Sequence, residues 1–129
     1  MKKLVLPARI AAWLAVLTII VLSVVPGTAR PHVLGNDSAE HFVAYFIAGG
    51  LFAIGYQRAI GYQSSRRLLS SGILLATCAG LLEFVQLWIP GRSASIGDFE
   101  VSAIAAWIGL LAVVLIRLTR KRLLVVSYK

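Results

Sequence analysis

Four apolar runs, at residues 10–25, 41–56, 68–90 and 101–116, dominate the sequence, each set off from the next by a segment carrying proline, glycine or charge. A backbone that crosses hydrocarbon must satisfy its own hydrogen bonds, and the chain lacks the alternating period that a closed barrel requires. The expected fold is therefore all-α: an integral membrane bundle of four transmembrane helices, forming one domain over 1–129. The first, second and fourth runs are shorter than the roughly 20 residues of a typical span. They are expected to recruit flanking polar residues or to thin the bilayer locally. Composition agrees, because 59% of the 129 residues are hydrophobic and only 14% are charged, more apolar surface than one small soluble core can hide.

A net charge of +8 would suit nucleic acid, but the basic residues flank apolar runs and form no zinc-finger, RNA-recognition or helix-turn-helix pattern. Nucleic acid is thus excluded as a partner, and the charge reads as topology. Lys2, Lys3 and Arg9 precede the first run; Arg58, Arg66 and Arg67 fall between the second and third; Arg117, Arg120, Lys121, Arg122 and Lys129 follow the fourth. The positive-inside rule assigns these segments, and so both termini, to the cytoplasm, where the basic tail 117–129 meets an anionic leaflet. The other two connections hold Arg30 and Arg92, and all 5 carboxylates (Asp37, Glu40, Glu83, Asp98, Glu100) lie in or near that opposite half. A second reading of the first run stays open. Its basic start, apolar middle and small residues Gly27 and Ala29 also describe a cleavable signal peptide, whose removal would leave three spans. The lone Cys78 excludes an intrachain disulfide and a cysteine zinc site, and reads as a small hydrophobe.

Gly72, Ala76 and Gly80 recur every four residues on the third helix, and Ala105, Gly109 and Ala112 offer a comparable face on the fourth. Small residues let helices approach closely. Gly72, Ala76, Gly80 and Gly109 are therefore candidates for helix–helix or homo-oligomer contacts, with ordinary membrane-helix composition as the alternative.

Three polar sets converge on the non-cytoplasmic side. Asn36, Asp37, Ser38, Ala39, Glu40 and His41 open the second helix, where Asp37 and Glu40 have capping-box spacing. Histidine ordinarily changes charge near neutral pH, and His41 has Tyr45 one turn on along the same face. Glu83 and Gln86 share a face of the third helix. Counted back from Pro90, Glu83 lies about 10 Å below the helix end. An acid at the centre of a membrane helix costs about 2.5 to 3.5 kcal/mol, so Glu83 is expected to face protein or water and to have a partner. The third set, Pro90 to Asp98, is a tight turn in which Arg92 is a natural mate for Glu83, Asp98 or an anionic ligand. Ser95 and Asp98 again have capping-box spacing, with Ser102 one turn further. Each set also has a purely structural reading, as a helix cap or an interhelical hydrogen bond.

Taken in order, Pro26 after the first helix, Asp37 to His41 opening the second, Glu83 and Gln86 near the end of the third, then Pro90, Gly91 and Arg92 and finally Asp98 opening the fourth resemble the VanZ-like family. The resemblance spans 23–109. It implies a multi-pass protein of the bacterial cytoplasmic membrane, in a group named for low-level teicoplanin resistance and without an established reaction. Two departures stand out: Ser38 where many members carry lysine, and Ser102 where an asparagine commonly follows the turn aspartate, with Ala105 in place of a glycine. Glu40 beside His41 is a candidate compensation.

The candidate ligand-binding residues are accordingly Glu40, His41, Glu83, Gln86, Arg92 and Asp98, with Glu83, His41 and Asp98 the candidate acid–base groups. The leading expectation is a cell-envelope protein whose outward pocket binds a membrane lipid, a lipid-linked precursor or another anionic envelope component, altering antibiotic susceptibility. The alternatives are an acid–base enzyme on a lipid-linked substrate, with Arg92 as electrostatic clamp, and a structural or transport accessory that works as an oligomer. The sequence shows neither the metal-ligand spacing of a membrane metalloprotease nor a Gly-x-Ser-x-Gly nucleophile. No metal and no cofactor are expected.

Overall fold

The computed structural model describes residues 4–29, 34–56 and 62–126, so Lys2, Lys3, Arg30, Arg58 and Lys129 lie outside the described residues. Four long helices account for nearly all of the described chain: α1 (Val5–Val24), α2 (Asp37–Tyr56), α3 (Tyr62–Gln86) and α4 (Ile96–Val126), with a short 3-10 turn at Gly27–Ala29. No strand occurs among the described residues. All four helices are long and apolar enough to cross a membrane, over stretches of 20, 20, 22 and 25 residues. The short apolar runs reach this length by recruiting flanking residues, one of the two expected routes. Helix α2 gains a turn by starting at its polar cap residues, and α4 runs on for 31 residues through its basic end.

The helices turn large apolar side chains outward. Leu6, Leu14, Leu17, Leu81, Leu115 and Leu123 all present more than half of their surface outward, whereas a water-soluble monomer seldom exposes large contiguous apolar patches. The interior is built largely from alanine, including Ala12, Ala48, Ala53, Ala105 and Ala106, each fully buried. Small side chains bring helices together where lipid supplies no hydrophobic drive.

Helix α2 is the hub, touching each of the other three helices, and its interface with α4 is the most extensive. A Cβ on Gly49 would collide with the Ala106 carbonyl, and one on Gly109 with the Phe46 carbonyl, so these two backbones are in direct contact. The small residues of α3 serve differently from expectation. A Cβ on Gly72 would strike the Trp107 ring, and one on Gly80 would sit 3.4 Å from the Phe99 ring. They make room for aromatic rings of α4 rather than for its backbone. Gly72, Gly80 and Gly109 are thus occupied by partners within the chain.

The two ends of the bundle differ in chemistry. The last carbonyls of a helix lack intrahelical donors, and at the end of α2 two arginines supply them. Arg9 donates to Gly55 O (2.9 Å), and Arg117 donates to Ala53 O and Ile54 O (3.2 Å each). Arg9 also lies over the Tyr56 ring, 4.7 Å from its centroid. At the opposite end the α1–α2 and α3–α4 connections touch. Gly27 donates to Pro90 O (3.3 Å), and a side chain at Gly27 would strike the Gly91 carbonyl.

Candidate functional site

The polar residues gather at this second end, where α2 begins, α3 stops and α4 begins. Helix α2 is capped by Asn36 rather than Asp37: Asn36 Oδ1 accepts from Ala39 N (3.3 Å), and Glu40 Oε1 reaches back to Leu34 N (3.0 Å). The cap lies one residue earlier than the spacing implied, which leaves Asp37 in the first turn, where its charge favours the helix dipole.

Helix α3 ends at Gln86. Beyond it, Leu87, Trp88 and Ile89 each donate to the carbonyl three residues back, the tightening typical of a helix terminus. Arg92 N then donates to Ile89 O (3.2 Å) with Gly91 at φ 73°, a type II turn with proline and glycine where that turn requires them. Because the helix stops four residues short of Pro90, Glu83 sits about 4.5 Å from the helix end, less deep than the sequence count implied. It is nonetheless buried, at 8% exposure, and has the partner its cost demands: Ser95 N donates to Glu83 Oε2 (2.9 Å).

That bond reshapes the start of α4. Ser95 Oγ accepts from Asp98 N (3.3 Å), which is half of a capping box. In the other half the third helical residue would take the Ser95 N–H, but Glu83 already holds it. Asp98 is thereby turned toward α2, where its Oδ1 accepts a 2.6 Å hydrogen bond from Ser38 Oγ. One turn further along α4, buried Ser102 places Oγ 3.2 Å from His41 Nδ1. The His41 ring lies nearly parallel to that of Tyr45, at 9° and 6.5 Å between centroids.

The result is a compact set. One ring nitrogen of His41 and one carboxylate oxygen each from Glu83 and Asp98 all lie within 4.8 Å of one another, although they come from three helices. An imidazole and two carboxylates at this separation can exchange protons or ligate a cation. Gln86 extends the set along the inward face of α3. It is 2% exposed, and its Nε2 has no hydrogen-bond acceptor among the described residues. A buried donor left unsatisfied costs about 1–3 kcal/mol, so this position favours an additional acceptor.

The remaining predicted residues frame the cluster. Glu40 and His41 line a groove of about 410 Å³ between α1 and α2, whose other walls include Ile19, Leu22, Val43 and Ile47. Glu83 lines a second hollow of about 320 Å³ between α3 and α4, with Phe84, Ile96 and Phe99. Arg92 sits half-buried in the Pro–Gly turn. Ser38 and Ser102, which stood out only as departures from a family pattern, turn out to hold Asp98 and His41.

Searches against protein-family models, curated proteins and solved structures return no match. The fold and the cluster therefore define a class on their own: an all-helical chain with four helices long and apolar enough to span a membrane, and a buried polar site at one end of the bundle.

Proposed function

We propose that this chain is a VanZ-like protein of the bacterial cytoplasmic membrane, with both termini in the cytoplasm and the His41, Glu83, Gln86 and Asp98 cluster on the outer side. There it binds the headgroup of an envelope lipid or lipid-linked precursor and modulates susceptibility to glycopeptides such as teicoplanin. One observation carries this reading. A largely buried polar cluster drawn from three helices adjoins, through His41 and Glu40, an apolar groove between α1 and α2. A polar head seated at the cluster with its hydrocarbon chain along the groove matches both surfaces at once, whereas a soluble ligand would leave the groove unused.

Charge supports the orientation. Arg9 and Arg117 cap the end of α2 that lies away from the cluster, and Arg66, Arg67 and Arg120 belong to the same half of the sequence pattern. The order of Pro26, His41, Glu83, Gln86, Pro90, Arg92 and Asp98 supports the family. The test is genetic: delete the gene and restore it as wild type, Glu83→Ala or Arg92→Ala. Wild type restores the envelope phenotype and the two variants do not. If both variants restore it fully, the cluster is not the working part.

A second reading, acid–base catalysis on the same lipid-linked substrate, is favoured by one specific feature, the imidazole set within 4.8 Å of two carboxylates. Purified protein would then turn over a labelled lipid-linked substrate, and Glu83→Gln would abolish turnover. Absence of turnover across a broad lipid panel returns the site to binding alone.

A further inference from the structure

Two carboxylates in one cluster, Glu83 buried and Asp98 half-buried, raise a difficulty for any headgroup that carries phosphate, because like charges repel most where water is scarce. The geometry offers a resolution. His41, Glu83 and Asp98 each bring a donor atom within 4.8 Å of the others, and each also meets a group outside the set: Ser102 at His41 Nδ1, Ser95 N at Glu83 Oε2, Ser38 at Asp98 Oδ1. Each carboxylate thus uses one oxygen for support and carries a second. Outer partners of this kind fix the orientation of metal-ligating side chains. The independent observation is Gln86, one turn along the inward face of α3 from Glu83, 2% exposed, with an Nε2 donor that lacks an acceptor.

We propose that His41, Glu83 and Asp98 ligate one divalent transition-metal ion, zinc or manganese in character, and that the ion and Gln86 Nε2 together hold a phosphate oxyanion. The proposal rests on the headgroup-binding reading and names the chemistry of the head. One nitrogen and two oxygen donors suit these ions, and three protein ligands leave a coordination position open. A charge of two on the ion cancels two carboxylates, so an entering phosphate no longer meets net negative charge. One phosphate oxygen completes the coordination and another accepts from Gln86. Bonds of about 2.1 Å can span no more than about 4.2 Å between opposite ligands, so ligation draws the cluster in from 4.8 Å. Sequence reasoning groups these three as acid–base candidates but not as metal ligands, because they sit on three helices and show no ligand spacing.

The experiment uses the full chain, purified through a tag without histidine, placed in lipid nanodiscs and stripped with chelator. Titration with Zn²⁺ or Mn²⁺ alone is expected to load one ion per chain. His41→Gln, Glu83→Gln and Asp98→Asn should each weaken loading at least about tenfold, while Glu100→Gln, at an exposed position of α4 outside the cluster, leaves it unchanged. Co²⁺ loaded into the wild type provides a readout that does not depend on any variant folding. Its visible bands should report nitrogen–oxygen ligation and should shift on adding inorganic phosphate, a shift that Gln86→Leu weakens. No stoichiometric ion, or loading that survives all three substitutions, overturns the metal. An ion whose spectrum ignores phosphate overturns the oxyanion. Lipid retained by stripped, metal-free protein sinks the metal while sparing headgroup binding, and metal bound normally while site variants keep their lipid sinks headgroup binding while sparing the metal.

Discussion

Glu83 and Asp98 illustrate how a single buried acid can redirect its neighbours. By taking the Ser95 N–H, Glu83 occupies the place that a capping box reserves for Asp98, and Asp98 turns instead to Ser38 on α2. The bond predicts a split between two substitutions. Glu83→Gln retains an acceptor for Ser95 N and should stay within about 1 kcal/mol of wild-type stability, whereas Glu83→Leu strands that donor and should cost about 1–3 kcal/mol. Thermal unfolding in detergent distinguishes them, and equal losses would show that the Ser95 bond is immaterial. The sequence alone made Glu83 legible as a residue too costly to keep without a partner. Its actual partner was not legible, because a backbone N–H twelve positions away carries no residue-type signal. Ser38 with Asp98 and Ser102 with His41 were hidden for a related reason: they pair residues 60 and 61 positions apart, and no local pattern encodes that distance.

Among the elements, the α2–α4 contact sets the geometry of the site, since it fixes Ser38 and His41 against Asp98 and Ser102. Gly109 faces the Phe46 carbonyl with no room for a methyl group, while Gly80 faces the Phe99 ring at an ordinary contact distance. Gly109→Ala should therefore cost about 1–3 kcal/mol through overpacking against backbone, and Gly80→Ala should be nearly neutral. Melting temperatures of the pair check this, and the reverse order would contradict the packing. The apolar runs made four helices legible because a run long enough to cross hydrocarbon must close its own backbone hydrogen bonds. The apolar runs stop short of the helix ends because the polar residues that extend α2 and α4 carry no hydropathy signal; their recruitment follows from span length instead. The spacing of glycine and alanine named small faces on α3 and α4 without their partners, and the backbone approach is between α2 and α4. The glycines themselves were visible, but a small residue serves a neighbouring backbone or a neighbouring ring equally well, and sequence does not distinguish the two.

For the molecule as a whole, the proposed topology of four crossings would put both termini on one side and the two touching connections, with the cluster, on the other. In a chain whose Cys78 is replaced by serine, a cysteine at exposed Ser93 should react with an impermeant maleimide added outside intact cells, and one at exposed Thr119 should not. Labelling in the opposite sense would put the cluster in the cytosol and remove the envelope reading. The most direct test of the central claim, that residues from α2, α3 and α4 form one headgroup site, is native mass spectrometry of the chain released from its own membrane. Wild type and Glu100→Gln should carry a retained lipid, and Gln86→Leu and Asp98→Asn, shown to be folded by circular dichroism, should lose at least nine-tenths of it, on the order of the 1.4 kcal/mol that a tenfold change represents. Equal lipid occupancy in all four proteins would contradict the account.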